Sequence, residues 1–244
     1  MATEVSEISP ATEGEPIRYS LQRAGGIAAL VDAATFVVGF ALFFTLIAAS
    51  NYGSLTDPSA SVEFLVANQL TMYVWNLTIY IVFGIALVVL ALALYARLRD
   101  GAPALSQVAT AFGLIWAGLV IASGMVANVG IGAVVELAGQ NAAQAETTWL
   151  ALQAVENGLG GGNEIAGGVW VLLVSLAALR AGELSRGLNY LGALIGVSGL
   201  LTVVPGLEVL GAVFGLGLIV WFVWVGVVML RAQEPTLRVR PTGM

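Results

Sequence analysis

The chain has no cysteine and no histidine, and all nine of its basic residues are arginine. Without cysteine there is no disulfide framework and no thiolate nucleophile. Without histidine there is no imidazole ligand for a metal or a haem, and no Ser/His or Cys/His pair. Without lysine there is no Schiff base. Charge is scarce too, at 10% of residues against about a quarter in soluble domains. The net charge of −6 comes with no basic stripe, which excludes a nucleic-acid surface. These absences leave no catalytic residue, metal or cofactor to expect, and the chain reads as a non-enzyme.

What fills the chain is apolar. Hydrophobic residues make up 59% and the mean hydropathy is +0.93. A helix needs about 20 apolar residues to cross a bilayer, and about six such runs can be counted. The expected fold is all-α: a polytopic membrane protein with a bundle of six transmembrane helices, multi-pass in the plasma membrane. The crossings are placed at residues 24–49, 70–95, 104–137, 158–180, 188–204 and 208–230. Residues 1–18 carry Glu4, Glu7, Glu13 and Glu15 among Ser, Thr and Pro, and read as a disordered acidic tail. A signal peptide would open on positive charge, whereas acid comes first here. Residues 138–157 form an outer segment in which Trp149, Leu152 and Val155 recur at helical spacing, which predicts a short helix lying at the interface. Residues 232–244 are a second polar tail, and Pro205-Gly206 marks a tight outer turn.

Orientation follows from the arginines. With six crossings, Arg18, Arg23, Arg97, Arg99, Arg180, Arg186, Arg231, Arg238 and Arg240 all fall on one side. By the positive-inside rule that side, with both termini, is cytoplasmic. Tyr73, Trp75 and Trp149 then sit near the outer boundary as interfacial anchors, and Trp221 and Trp224 fall inside the last helix, where packing is the expected role.

The candidate site centres on residues 158–180. On a continuous helix, Glu164 has Gly160 and Gly161 above it and Gly167 and Gly168 below it, a bare face on which another helix backbone comes close. An acid in hydrocarbon has to be neutral, paired or facing water. If the helix starts at Gly158, Glu164 lies about 9 Å into the membrane, with Asn76 and Asn128 at similar outer-half depths, so the three are expected to converge on one polar site. Asp32 is a lone acid in the inner half of the first crossing, with small neighbours that turn it toward the bundle. Gly160 to Gly162 are no phosphate loop, since no lysine follows.

Certain residues carry a resemblance: Arg23-Ala24-Gly25 opening the first helix; Glu164, Gly167, Gly168, Trp170 and Leu172 in the fourth; Arg186, Leu191 and Gly192 in the fifth; and Trp221, Trp224, Gly226 and Leu230 in the last. In these the chain resembles a bacterial and archaeal family of six-helix membrane proteins catalogued only as a domain of unknown function. The resemblance implies the fold and no activity.

Two functions stay open. One is a small-solute or proton-linked transporter or channel with a polar site in the outer half. The other is a structural or partner-binding membrane subunit whose polar groups only pin helices together. The expected partners are membrane lipid and either a second copy or another membrane protein, with no nucleic acid.

Overall fold

The computed structural model describes residues 14–48, 50, 52–161 and 164–231. Among these there is no strand, and the chain is an all-α polytopic membrane bundle. Eight α-helices follow one another: α1 Gly14–Leu42, α2 Pro58–Asn76, α3 Phe83–Leu98, α4 Pro103–Ala138, α5 Ala142–Glu156, α6 Ile165–Ala181, α7 Arg186–Leu201 and α8 Leu210–Arg231. Three short π-helical segments continue them: Phe43–Ile47 after α1, Leu77–Val82 joining α2 to α3, and Asn157–Gly161 after α5.

Local chemistry sets several of the ends. Asp57 caps α2 by accepting from the Ala60 amide, with Pro58 in the first turn, and Asn141 caps α5 by accepting from the Gln144 amide. Gly182 takes φ +68° to end α6, the Glu183 amide reaching back to the Ala178 carbonyl at 2.9 Å, and Ser185 caps α7.

Five helical runs among the described residues are long and apolar enough to cross a membrane, and three of them are far longer than a crossing. Pro58–Leu98, Pro103–Ala138 and Ala142–Ala181 have 41, 36 and 40 residues. Pro103–Ala138 is one unbroken helix and at 1.5 Å per residue measures about 54 Å, well beyond the hydrocarbon thickness, whereas Pro58–Leu98 bends at Asn68 and passes through the π segment at Leu77–Val82, and Ala142–Ala181 breaks at Gly160. They run side by side: Gly84 faces Ile121, Gly124 faces Tyr80, Gly113 faces Trp170 and Gly130 faces Leu152. By contrast α6 and α7 have 17 and 16 residues, about 25 Å each, and match the membrane alone. Although α7 is too short to count by length, it returns the chain across the slab that α6 crosses, because its C-terminal Thr202 meets Glu164 at the N-terminal end of α6, the end away from the arginines, which the positive-inside rule puts outside.

The inner slab and the outer extension have separate cores. The larger joins all the crossings through Leu87, Leu90, Trp170, Leu218, Trp221 and Phe222, each at most 1% exposed. The smaller lies outward, where α2, α4 and α5 enclose Val62, Leu65, Met72, Ile131, Val134 and Trp149. In the slab, backbones touch. A Cβ built on Gly168 would lie 2.8 Å from the Gly196 carbonyl oxygen and 2.9 Å from the Leu200 nitrogen, and Gly26 and Gly226 make the same kind of contact between α1 and α8. The arginine-bearing ends gather at one end: Gly25 packs on Ala93 and Met229, Gly101 on Ala181, and the Arg97 Nε donates to Glu183 at 2.9 Å.

Several expectations are corrected. Residues 14–18, read as tail, are helical; residues 1–13 and 232–244 lie outside the described residues. The helical run that holds the second crossing begins at Pro58, ahead of the expected crossing at 70–95, and α6 starts at Ile165 rather than at 158. Gly160 takes φ +136°, which no helix admits, so Gly160 and Gly161 do not share a helix face with Glu164. The outer segment is a short helix, as expected, and one of its faces is packed on the bundle. It stands against α4 and α2, with Trp149 only 4% exposed inside the outer core.

Candidate functional site

Where the outer extension meets the slab, all three π-helical segments border one cavity of about 230 Å³. The first contributes Phe43, the second Ile79 and Tyr80, and the third Gly160. The rest of the wall is Thr35, Phe36, Gly39 and Phe40 of α1, Trp75 of α2, Phe83 of α3, and Trp116 and Val120 of α4, with Glu164 at the break before α6. π-Helical turns widen a helix locally and concentrate at functional sites. Here all three border the same space.

Apart from Glu164, the wall is chiefly aromatic. Phe36 meets Phe83 edge-on at 5.3 Å between centroids, and Phe83 meets Trp116 at 5.2 Å. Trp116 continues to Trp170 at 5.7 Å and Trp170 to Trp221 at 5.6 Å. This column of rings floors the cavity and fills the bundle beneath it, where Trp170, Trp221 and Phe222 are buried.

Glu164 is held by its backbone. Its amide donates to the Thr202 Oγ1 at 3.1 Å, and its carbonyl accepts from Gly168 at 2.7 Å in the first turn of α6. Its carboxyl has no side-chain partner among the described residues and caps no helical amide. The position just ahead of α6 is one where the helix dipole favours negative charge. No arginine lines the cavity.

A second, smaller space of about 30 Å³ lies just outward, lined by Tyr52, Asn76, Gln153 and Glu156 among apolar groups. It is room for a water or two, and the buried Gln153 Oε1, which lacks a protein partner, suits one. The Tyr80 hydroxyl donates to Glu156 Oε1 at 2.8 Å. Tyr80 lines the large cavity and Glu156 the small one, so this bond is the partition between them. Burial pushes the Tyr52 hydroxyl up from its ordinary range and Glu156 adds to this, while a bond with Trp149 pulls the other way.

A family model described as a domain of unknown function, DUF4386, matches residues 27–227. The chain belongs to that family. The match reaches all the crossings and takes in every residue that lines the two cavities described above. No curated protein and no solved structure matches it.

The residues singled out by depth do not converge. Glu164 lines the large cavity, Asn76 the small one, and Asn128 neither, its Oδ1 being buried without a partner. Asp32 is fully buried in α1 with no hydrogen bond to either carboxyl oxygen among the described residues, and it lines neither cavity. Gly167 faces Trp116 and Phe214, Gly168 the α7 backbone, and Gly160 the cavity, while Gly161 ends the π-helical segment after α5. Trp75 is no simple anchor, since its Nε1 donates to the Gly39 carbonyl at 3.4 Å and its ring lines the cavity. Trp221 packs in the core and Trp224 is 39% exposed. Sequence reading missed Tyr80, Glu156 and Thr202. The signal for the cavity was Phe36, Phe40 and Phe43, an aromatic stripe at i, i+4, i+7 on the run that carries Asp32.

Proposed function

We propose that this protein is a small-solute transporter of the plasma membrane that takes its solute from the outer face into the cavity beside Glu164. The observation that carries the reading is the meeting of three π-helical breaks and one unpaired carboxyl at a single cavity in the outer half of the slab, above a floor of packed rings. Such an arrangement suits an outward-facing state closed on the inside. The small polar space and the Tyr80–Glu156 bond lie on the outer side, where a proton or solute would enter. Neither acid is given a catalytic role, because Asp32 is buried in the core and, among the described residues, no second carboxylate lines the cavity with Glu164.

The absence of native cysteine makes the test direct. Ile79→Cys, on the cavity wall, should react with a membrane-impermeant maleimide added outside and also, during turnover, with reagent added inside. Leu87→Cys, fully buried, should react with neither. Labelling of Ile79→Cys from outside alone contradicts transport, and labelling from neither side contradicts a solvent-connected cavity.

One feature favours the second reading, a partner-binding subunit. Leu70 of α2 and Val129 of α4 are each 77% exposed on the outer extension, where lipid does not reach if the slab spans only α6 and α7. An unreactive Ile79→Cys together with a Leu70→Cys that cross-links to another membrane protein would select it.

A further inference from the structure

We infer that the cavity at Glu164 is a site for an organic cation, a quaternary or alkylated ammonium with an apolar body. The inference rests on the transport reading for the location of the site and goes beyond it in naming the ligand's chemistry. Three observations point to a cation. First, the wall is made of ring faces and edges from four helices, Phe36, Phe40, Trp75, Tyr80, Phe83 and Trp116, and aromatic faces attract a cation that has given up its water. Second, the one carboxyl on the wall is Glu164, which has no side-chain partner among the described residues, and no arginine reaches the cavity. A carboxylate placed in hydrocarbon needs a counter-charge, and none of the described residues that line the cavity supplies one, which leaves that place to a ligand. Third, the space of about 230 Å³ falls a little below the usual range for drug-sized ligands, so it suits a small amine body and not an acyl chain.

The other ionisable groups at this level are Tyr80 and Glu156, which are bonded to each other, and α1, α3 and α4 bring no further charged side chain to the wall. An anion would meet Glu164 and the ring faces unfavourably. A neutral solute would leave Glu164 unpaired. Hydrated inorganic cations have no second carboxylate or ring of carbonyls to replace their water, and no group of three acidic side chains comes together among the described residues. A cation whose charge is already sheathed in methyl groups meets none of these costs.

The probe is benzyltrimethylammonium, compared with its neutral isostere neopentylbenzene and with the anion phenylacetate. Each is titrated into the full-length protein in nanodiscs and followed by tryptophan fluorescence, to which Trp75 and Trp116 contribute from the wall. The expected result is saturable binding of the ammonium, weaker by about tenfold or more for the isostere and undetectable for the anion. Glu164→Gln should reduce affinity for the ammonium by at least about tenfold and leave the isostere unchanged, whereas Glu164→Asp should retain most of it. The comparison on the unaltered protein does not depend on whether a variant folds. Equal binding of ammonium and isostere overturns the inference, as does full affinity in a folded Glu164→Gln. If Ile79→Cys is labelled from both sides and no ammonium binds, the ligand class is wrong and transport stands. If the ammonium binds and Ile79→Cys is labelled from outside alone, the cation site stands and transport does not.

Discussion

The inner slab and the outer extension are built from the same helices and held by different means. In the slab, helices touch backbone to backbone, as at Gly168 and Gly196 or Gly26 and Gly226, and polar atoms such as both Asp32 carboxyl oxygens, Trp170 Nε1, Ser175 Oγ and Trp221 Nε1 are buried with no hydrogen-bond partner among the described residues. In the extension, a small apolar core around Trp149 sits among capped helix ends and side-chain hydrogen bonds, including Asp57 on Ala60 and Ser61 Oγ accepting from Gly53. Lipid provides no hydrophobic force between helices, so the slab depends on close packing, whereas the core of Val62, Leu65 and Trp149 is the kind that water drives together wherever that end of the rods stands clear of lipid. The cavity lies where one regime gives way to the other, and the helices there break from α to π.

If that contrast holds, the two regions should fail separately. Trp149→Ala should have the largest effect, about 3–5 kcal/mol taken from the outer core. Hydrogen exchange should then speed up in α2 and α5 while α6 to α8 keep their protection, and equal acceleration in both regions would mean a single cooperative unit. Gly168→Leu should do the reverse at about 1–3 kcal/mol or more, since its side chain would meet the α7 backbone. Melting in detergent should fall, with the protection of α5 retained. Gly118→Leu, on a helix face with nothing nearby, is the control and should leave melting unchanged.

The smallest effect belongs to neither core. In the outer turn between α7 and α8, the Gly206 amide donates to the Glu208 carboxylate at 3.0 Å and holds it below the usual range. A lowered folded value means that this contribution is present above the unfolded value of about 4.3 and is lost as pH falls through the folded one. Glu208→Gln should therefore speed exchange of the Gly206 amide at pH 6 and make no difference once the wild-type carboxyl is protonated, with melting of both regions unmoved throughout.

Much of the slab was legible because membrane helices announce themselves by length and the arginines mark their ends. The site was less so. Residues 158–164 read as helix because glycine in an apolar run fits either a helix or a break, and only the φ of +136° at Gly160 distinguishes them. Asn76, Asn128 and Glu164 were grouped by depth along their helices, and depth says nothing about which way a side chain turns around the axis. The extension was hidden for a related reason. Val66, Leu70 and Val74 are as apolar as a lipid-facing stripe, so composition does not mark where α2 leaves the membrane. Tyr80 and Glu156 are 76 residues apart and nothing local links them.

The claim on which the rest depends is that α2, α4 and α5 leave the bilayer near the cavity. Spin labels placed one at a time along Pro58–Leu98 in reconstituted protein test it through collision rates with oxygen and with a water-soluble nickel chelate. Labels at Val66 and Leu70 should favour the nickel complex, labels at Ile85 and Leu92 should favour oxygen, and the crossover should fall between Val74 and Val82. Oxygen-dominated collisions at Val66 and Leu70 equal to those at Ile85 and Leu92 would place the whole rod in lipid and contradict the account.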